Sequence, residues 1–495
     1  MEQTQMTESP ALAPIRESDR ILPLDAARGF ALLGIFMVNI GVFGEAFGYF
    51  IFPSPRDDRG AYEWICWVLA KTFWDGRFYP LFSMLFGMGL VIQYQRAKAA
   101  GRSFTGVTIR RLLVLALIGA LHALFIWCGD ILFLYGTIGL WMVWLVRCSA
   151  RTLFIIAGSI LAIAVTALLG FGLLQVAMER QADRAKQAQA ARAVVAAEES
   201  AEGSATAIEM TTDDAPVAPS AVDATSPDHA ESGASASAQE LVEQPEPERS
   251  PFFALLHELK GGTMRGPIDP RWIDFETRAY RDGPWLDAFG VRAMTWLMVL
   301  VISLFFFGWH VLAMFCLGAA LMKCGIFDRS RRSWHWTFVV LALVVALPVS
   351  LTCAIALPTA GVFFASSVNG ALQLLIGPML SLGFLGAITL LAQSGMARPV
   401  TGTLAAAGRM AFTNYLMQSV IATAIFYHWG LALFDSTTRL ERIGIVLAIY
   451  ALQLVFSVLW LKVFAMGPLE WLWRAATYLR FSPLRRASRV SRASA

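Results

Sequence analysis

The chain has 495 residues, 57% hydrophobic and only 15% charged. Roughly three soluble domains would fit that length, but an average soluble domain is about 25% charged and 45–50% apolar, so a soluble class is excluded. The formal charge of +4 is small and predicts no nucleic-acid partner, and the six cysteines form no CxxC pair, which excludes a zinc ribbon and predicts no metal.

A bilayer core needs roughly 20 apolar residues per helix. Ten such runs are visible, at about 24–45, 80–95, 112–129, 131–147, 152–177, 294–322, 336–357, 371–393, 410–428 and 444–465. The second follows an aromatic amphipathic stretch (Tyr62, Trp64, Trp67, Phe73, Trp74), and the third and fourth are separated only by Cys128, Gly129 and Asp130. The N-terminal residues lack a basic, apolar and cleavable series, so no removable signal peptide is expected. Lys and Arg concentrate after the even-numbered runs: Arg96 to Arg111, Arg147 and Arg151, Lys323 to Arg332, and Arg474 to Arg492. The positive-inside rule then puts both termini in the cytoplasm. Between Met178 and Ser250 there are 15 acidic against 5 basic residues and no aromatic ring. Such a stretch buries too little apolar surface to offset its ordering entropy, so disorder is expected after a short helical start.

The expected fold class is an all-α polytopic membrane protein, about ten transmembrane helices in two five-helix halves joined by a disordered acidic linker. The divisions are a cytoplasmic tail (1–20), an N-terminal membrane half (21–178), the linker (179–250), an extracytoplasmic re-entry segment (251–293), a C-terminal membrane half (294–480) and a basic cytoplasmic tail (481–495).

Polar side chains inside lipid usually face a partner or a cavity. Asp25 and Arg28 stand i, i+3 at the start of the first run, and Asn39 lies three turns deeper. These fit either a site or a topology anchor with a helix-helix hydrogen bond. His122 is alone in an apolar helix, and Asp130 follows at the hairpin tip. Continuous helix would separate them by about 12 Å of rise, so they meet only if the tip folds back. His122 is either a general base or a helix bridge, and Asp130 either charges the site or caps the next helix. Arg409, Thr413, Asn414 and Gln418 crowd the ninth run, with Arg409 and Thr413 read as i, i+4 on one helix. A cavity lining or an interface between halves is expected there. Asp274, Glu276, Arg278, Arg281, Asp282 and Asp287 form either an outer lid or a solvated charged loop, His310 is a second lone histidine, and His428 a boundary one. No GxxxxGK[ST], HExxH or GxSxG motif is present.

Several blocks in order carry a resemblance: Leu24-Asp25-Ala26-Ala27-Arg28-Gly29-Phe30, Leu81-Phe82-Ser83, His122 to Trp127 with Gly129-Asp130-Ile131-Leu132, Tyr135-Gly136, Gly408-Arg409-Met410-Ala411-Phe412-Thr413-Asn414-Tyr415 and Gly467-Pro468-Leu469-Glu470-Trp471. The chain resembles the YeiB-like family of bacterial inner-membrane proteins, long labelled as carrying a domain of unknown function. The resemblance implies kinship with a transmembrane acyltransferase superfamily that includes the lysosomal heparan glucosaminide acetyltransferases. Acyl-CoA would then be the cytoplasmic donor, and the location the bacterial inner (cytoplasmic) membrane. In the lysosomal relatives a first-helix Asn is followed eleven residues on by a catalytic His; here the positions read Asn39 and Phe50.

The leading expectation is therefore acyl transfer to an extracytoplasmic or membrane-embedded hydroxyl or amine. His122 would be the base with Asp130, Asn39 and Asn414 would polarise the thioester, and Arg28, Arg409 and Gln418 would complete the coenzyme site. The rivals are a transporter of a small polar solute through the same cavity and a non-catalytic scaffold. Expected partners are the lipid bilayer, a glycan or lipid acceptor and a second copy of the chain as a homodimer.

Overall fold

The computed structural model describes residues 20–51, 62–209, 269–356 and 362–486. The expected cytoplasmic tail before residue 20, the insert beyond 209, residues 251–268 of the re-entry segment and the end of the basic tail lie outside the described residues.

All described elements are helical apart from one isolated β-bridge between Phe464 and Arg485. In chain order they are α1 (Leu22–Gly44), α2 (Phe47–Ile51), α3 (Glu63–Phe73), α4 (Phe78–Ala99), α5 (Thr105–Phe125), α6 (Leu132–Leu145), α7 (Ala150–Glu209), α8 (Pro270–Arg281) and α9 (Trp285–Ile302). There follow α10 (Gly308–Lys323), α11 (Arg332–Leu341), α12 (Leu347–Ala356), α13 (Val362–Ser394), α14 (Arg398–Arg409), α15 (Ala411–Phe426), α16 (Arg439–Val463) and α17 (Pro468–Tyr478). A π turn at Ser303–Phe307 joins α9 to α10 without a break, and another at Ala342–Ala346 joins α11 to α12.

Each of the ten apolar runs falls on a helix. Among the described residues, seven helices are long and apolar enough to cross a membrane, whereas α6, α10 and α15 are shorter apolar helices. The chain is an all-α membrane protein. Its outward faces agree: on α5 the large residues Leu113, Leu117, Leu121 and Phe125 repeat every fourth position and are exposed, while Leu112, Leu115, Gly119, His122 and Ala123 are buried. Around a water-soluble protein such a stripe would aggregate. In lipid it is the solvated face.

The structure adds detail in three places. The aromatic amphipathic stretch before the second run is a helix of its own, α3. Helix α7 continues past Met178 to Glu209, so the helical start of the acidic segment is longer than the short one expected. Residues 179–209 are rich in Ala, Glu, Gln and Arg, strong helix formers that need no packed face. Finally, the re-entry charges sit on α8 rather than in an irregular loop. Asp269 accepts from Arg271 N at 3.0 Å to cap α8, and Pro270 begins it. Asp274 and Arg278 pair on its solvent side, while Trp272, Phe275, Ala279 and Tyr280 pack against Phe43, Trp127, Phe426 and Tyr427.

The two halves interlock through glycines. A Cβ on Gly29 of α1 would lie 2.0 Å from the carbonyl oxygen of Leu404 in α14, and one on Gly408 would lie 1.9 Å from that of Asp25. The α4–α10 crossing repeats the pattern, with Gly87 against Phe315 and Gly318 against Met84. Backbones meet where side chains are absent, as small residues allow in lipid.

Glu276 is the one buried carboxyl on α8. Its two oxygens accept from Phe47 N at 3.1 and 3.2 Å, and burial outweighs that bond to push its pKa up to about 8. Asp435 adds in the same direction. A carboxyl raised on folding contributes stability below its unfolded value near 4.5 and loses it as pH rises through about 8. The thermal midpoint of the wild type should therefore fall between pH 5 and 9, and Glu276→Gln, which keeps an acceptor for Phe47 N, should flatten that fall. Identical pH profiles for the two proteins would refute the assignment.

Candidate functional site

A cavity of about 250 Å³ opens among α1, α4, α5, α6, α15 and α17, beside the α1–α14 crossing. Its mouth carries Arg20, Arg28, Arg111 and Arg409 against two carboxylates, Asp25 and Glu470. Each arginine is held. Arg28 and Arg20 reach Asp25 at 3.2 and 3.5 Å, so the expected i, i+3 pair forms. The Arg111 guanidinium lies 4.0 Å over the Trp473 ring, whose Nε1 donates to Arg111 O at 3.0 Å. Arg409 Nη2 donates to Ala465 O at 3.4 Å. Glu470 accepts from the amides of Phe412 and Thr413 at 2.8 and 3.1 Å and from the Thr413 hydroxyl, satisfying the free N–H groups at the start of α15. Burial shifts the Glu470 carboxyl upward, and the same hydrogen bonds pull it back. Four guanidinium groups against two carboxylates leave this mouth positive.

The inner wall is formed by Ile131, Leu132, Tyr135 and Tyr415. Behind Tyr415, at 5.5 Å between ring centroids, stands His122. The hairpin tip does fold back. Helix α5 ends at Phe125, the chain turns through Trp127 to Gly129, and Asp130 Oδ2 returns to within 2.8 Å of His122 Nδ1. Glycine permits the approach: a Cβ on Gly119 would lie 2.6 Å from Asp130 Oδ1 and 2.2 Å from Phe133 N. Asp130 Oδ1 also accepts from Phe133 N at 2.7 Å in the first turn of α6. The carboxylate thus both contacts the imidazole and caps α6.

An ionised carboxylate only accepts, so Nδ1 carries a hydrogen, and in the neutral imidazole Nε2 then presents its lone pair. Nε2 is buried and has no hydrogen-bond partner among the described residues. His122 and Asp130 are both buried, and neither lines the cavity itself. Chemically the pair is an oriented base one aromatic ring behind an anion-attracting cavity.

Not every expected residue joins it. Asn39 is half-buried on α1 and does not line the cavity. Met410, with φ −111° and ψ 28°, breaks the helix between Arg409 and Thr413, so the expected i, i+4 pair belongs to two helices. Asn414 and Gln418 do share a face, but they turn toward α16. Asn414 Nδ2 donates to Ser457 Oγ at 3.0 Å, and Gln418 Nε2 to Gln453 Oε1 at 2.9 Å, while Gln453 Nε2 donates to Asn414 O at 2.9 Å. That ladder joins helices and leaves the cavity to others. His310 lies elsewhere, with Nε2 3.4 Å from Leu374 O, and His428 takes its backbone bond from N–H to Tyr280 O at 2.7 Å. Sequence reasoning missed Arg111, Tyr415, Glu470 and Trp473 as site residues. Their signal was scattered: Arg111 stood among the topology-setting basic residues, Tyr415 in the ninth run, and Glu470 and Trp473 in the final amphipathic segment.

Residues 321–480 match the family described as protein of unknown function (DUF418), a range that contains Arg409, Tyr415, Glu470 and Trp473. The chain is 27% identical over 489 residues to the uncharacterized protein YxaH of Bacillus subtilis (strain 168), covering 97% of this chain and 100% of that one. It is 27% identical over 481 residues to the uncharacterized protein YeiB of Escherichia coli (strain K12), covering 94% and 98%. An uncharacterized 39.9 kDa protein in the amylase 3′ region of Bacillus acidopullulyticus is 42% identical over 110 residues, 22% of this chain and 31% of that one. No solved structure matches the chain significantly. Over nearly its full length the chain is thus similar to YeiB and YxaH, and its residues 321–480 carry the match to the DUF418 family.

Proposed function

We propose that this protein is a transmembrane acyltransferase that takes an acyl group from acyl-CoA at a cytoplasmic cavity and passes it to a hydroxyl or amine. The observation that carries the reading is His122, held at Nδ1 by Asp130 at 2.8 Å with Nε2 unpartnered, directly behind the arginine-rimmed cavity. The cavity is slightly smaller than the roughly 300–1,000 Å³ of drug-sized sites. It would take the thioester arm while the coenzyme phosphates stay at the mouth with Arg20, Arg28, Arg111 and Arg409. The thioester carbonyl would lie on the cavity side of the Tyr415 ring, and the attacking hydroxyl or amine would have to reach Nε2 past that ring. His122 then accepts the proton of the attacking hydroxyl or amine, and the thiolate of CoA leaves through the mouth. The Lys and Arg pattern supports placing that mouth on the cytoplasmic side of the bacterial inner membrane with both termini. Asn414 and Gln418 act only as interhelical supports in this scheme, and Asn39 has no part in the donor site.

The test uses sealed membrane vesicles and acetyl-CoA. Inverted vesicles should release free CoA thiol in a protein-dependent manner, and right-side-out vesicles should not. Thiol release from right-side-out vesicles alone would reverse the orientation. Release from neither would remove acyl transfer and leave the cavity as a solute path.

A further inference from the structure

Near the hairpin tip the bundle buries an arginine that has no carboxylate. Arg292 lies on α9 and is 2% exposed, and its Nε donates to Leu124 O at 3.2 Å in the last turn of α5. A cation at a helix C-terminus is a common pairing, but here it uses one N–H of the guanidinium. Nη2 is buried without a hydrogen-bond partner, and no ion pair reaches Arg292 among the described residues. A buried charge left without a counter-ion is costly, and within membrane proteins such a group marks a site.

Its neighbours add further open donors. Cys128, Tyr280 and Tyr427 lie within electrostatic reach of the guanidinium, and the Tyr280 and Tyr427 rings stack at 4.4 Å. Tyr280 Oη and Trp127 Nε1, the latter in the residue before Cys128, are buried and also lack a partner among the described residues. Indole and guanidinium can only donate, so what is missing is an acceptor. Glu276 is the carboxyl that acts on the same three neighbours. Its oxygens already accept from Phe47 N, and with its pKa pushed up to about 8 it is mostly uncharged at neutral pH. It leaves Arg292 unneutralised.

We propose that Arg292, Tyr280 and Trp127 form a binding site for a phosphate group beneath α8. Three open donors outnumber the two oxygens of a carboxylate, whereas phosphate gives each donor an oxygen of its own. Its charge supplies the counter-ion that Arg292 lacks, in the pairing that suits a guanidinium best. Tyr280 belongs to α8, so the ligand enters as that helix shifts away from the hairpin tip. The site lies at the opposite end of α5 from Arg111 and shares no residue with the arginine-rimmed cavity. It goes beyond the donor-side reading and stands whether or not acyl transfer occurs.

The phosphate can arrive free or as a lipid headgroup, and the test separates the two. The full chain is purified in dodecyl maltoside without phospholipid, and alkylation of Cys128 by N-ethylmaleimide is followed by peptide mass spectrometry. Cys128 borders the site, so a bound anion slows its reaction, while Cys148 at the other end of α6 serves as the control. One series adds inorganic phosphate, against sodium chloride at matched ionic strength. The other adds dihexanoyl phosphatidic acid below its micellar concentration. At least one series should slow Cys128 saturably, by at least fivefold, and leave Cys148 unchanged. Slowing by the lipid alone identifies a headgroup, and slowing by inorganic phosphate shows that the free anion suffices. Arg292→Gln removes the charge yet can still donate to Leu124 O, and should raise the half-maximal concentration at least tenfold. Tyr280→Phe keeps the ring on Tyr427 and removes one donor. It should raise that concentration at least threefold, which keeps the test decisive if Arg292→Gln folds poorly. No slowing in either series, equal slowing of Cys148, or unchanged half-maximal concentrations in the variants would overturn the proposal.

Discussion

Replacing His122 with glutamine should lower acyl transfer by about two to four orders of magnitude, the usual contribution of a positioned base, with little change in thermal midpoint. Glutamine can still hydrogen-bond to Asp130 across the hairpin, and such a bond within a membrane is worth about 1 kcal/mol or less. It cannot take up a proton at neutral pH. Asp130→Asn separates the two functions of the carboxylate. Asparagine caps a helix about as well as aspartate, so Phe133 N keeps its acceptor. Its amide can also donate to Nδ1, which moves the imidazole hydrogen to Nε2 and hides the lone pair the reaction needs. Activity should collapse in Asp130→Asn while stability holds. CoA release and thermal melting of the same preparations measure both. A glutamine variant with wild-type turnover would end the catalytic assignment of His122, leaving fold and cavity untouched.

Gly408→Ala should cost the protein a large share of its stability. The new carbon would sit 1.9 Å from Asp25 O and 2.7 Å from Gly29 N. Both are backbone atoms of a helix that cannot turn aside like a side chain. Overpacking of a core costs about 1–3 kcal/mol and sometimes more, and here relief requires α1 and α14 to separate. Arg28 precedes Gly29 and Arg409 follows Gly408, so the separation also moves two of the four cavity arginines. Acetyl-CoA affinity should fall at least tenfold along with the midpoint. Gly402 lies on the same helix with nothing within 4 Å of its would-be Cβ. Gly402→Ala should therefore match wild type in both measurements, or slightly exceed it in stability, since alanine is the better helix former. Equal behaviour of the two variants would show that the crossing is looser than described.

The apolar runs were legible because a span of roughly 20 residues in lipid leaves a one-dimensional signature. The Asp25–Arg28 pair was legible for a similar reason, being local to one helix. The site was not, because its decisive contacts depend on where helices stop. The rise argument that kept His122 and Asp130 apart holds only for continuous helix, and the chain leaves the helix after Phe125. The same kind of break at Met410 divides Arg409 from Thr413. Asn414 and Gln418 drew attention as polar residues in an apolar run, but composition cannot tell a ladder to Ser457 and Gln453 from a cavity wall. Arg111 was read as a topology anchor, and only its stacking on Trp473, 362 residues later in the chain, brings it to the cavity.

The glycine crossings also bear on how the protein is made. The surface of α1 around Gly29 is completed by Leu404 and Gly408, and that of α4 around Gly87 by Phe315. At roughly 5–20 residues per second of synthesis, α1 emerges some 20–75 s before its partner exists. During that interval the first helices are inserted but lack their closest neighbours, with Arg20 and Arg28 supplying the early counter-charge of Asp25. A ribosome pause or a truncation before residue 398 would leave them in that state, and membrane quality-control proteases or insertion chaperones would meet an exposed glycine-lined groove rather than a finished domain.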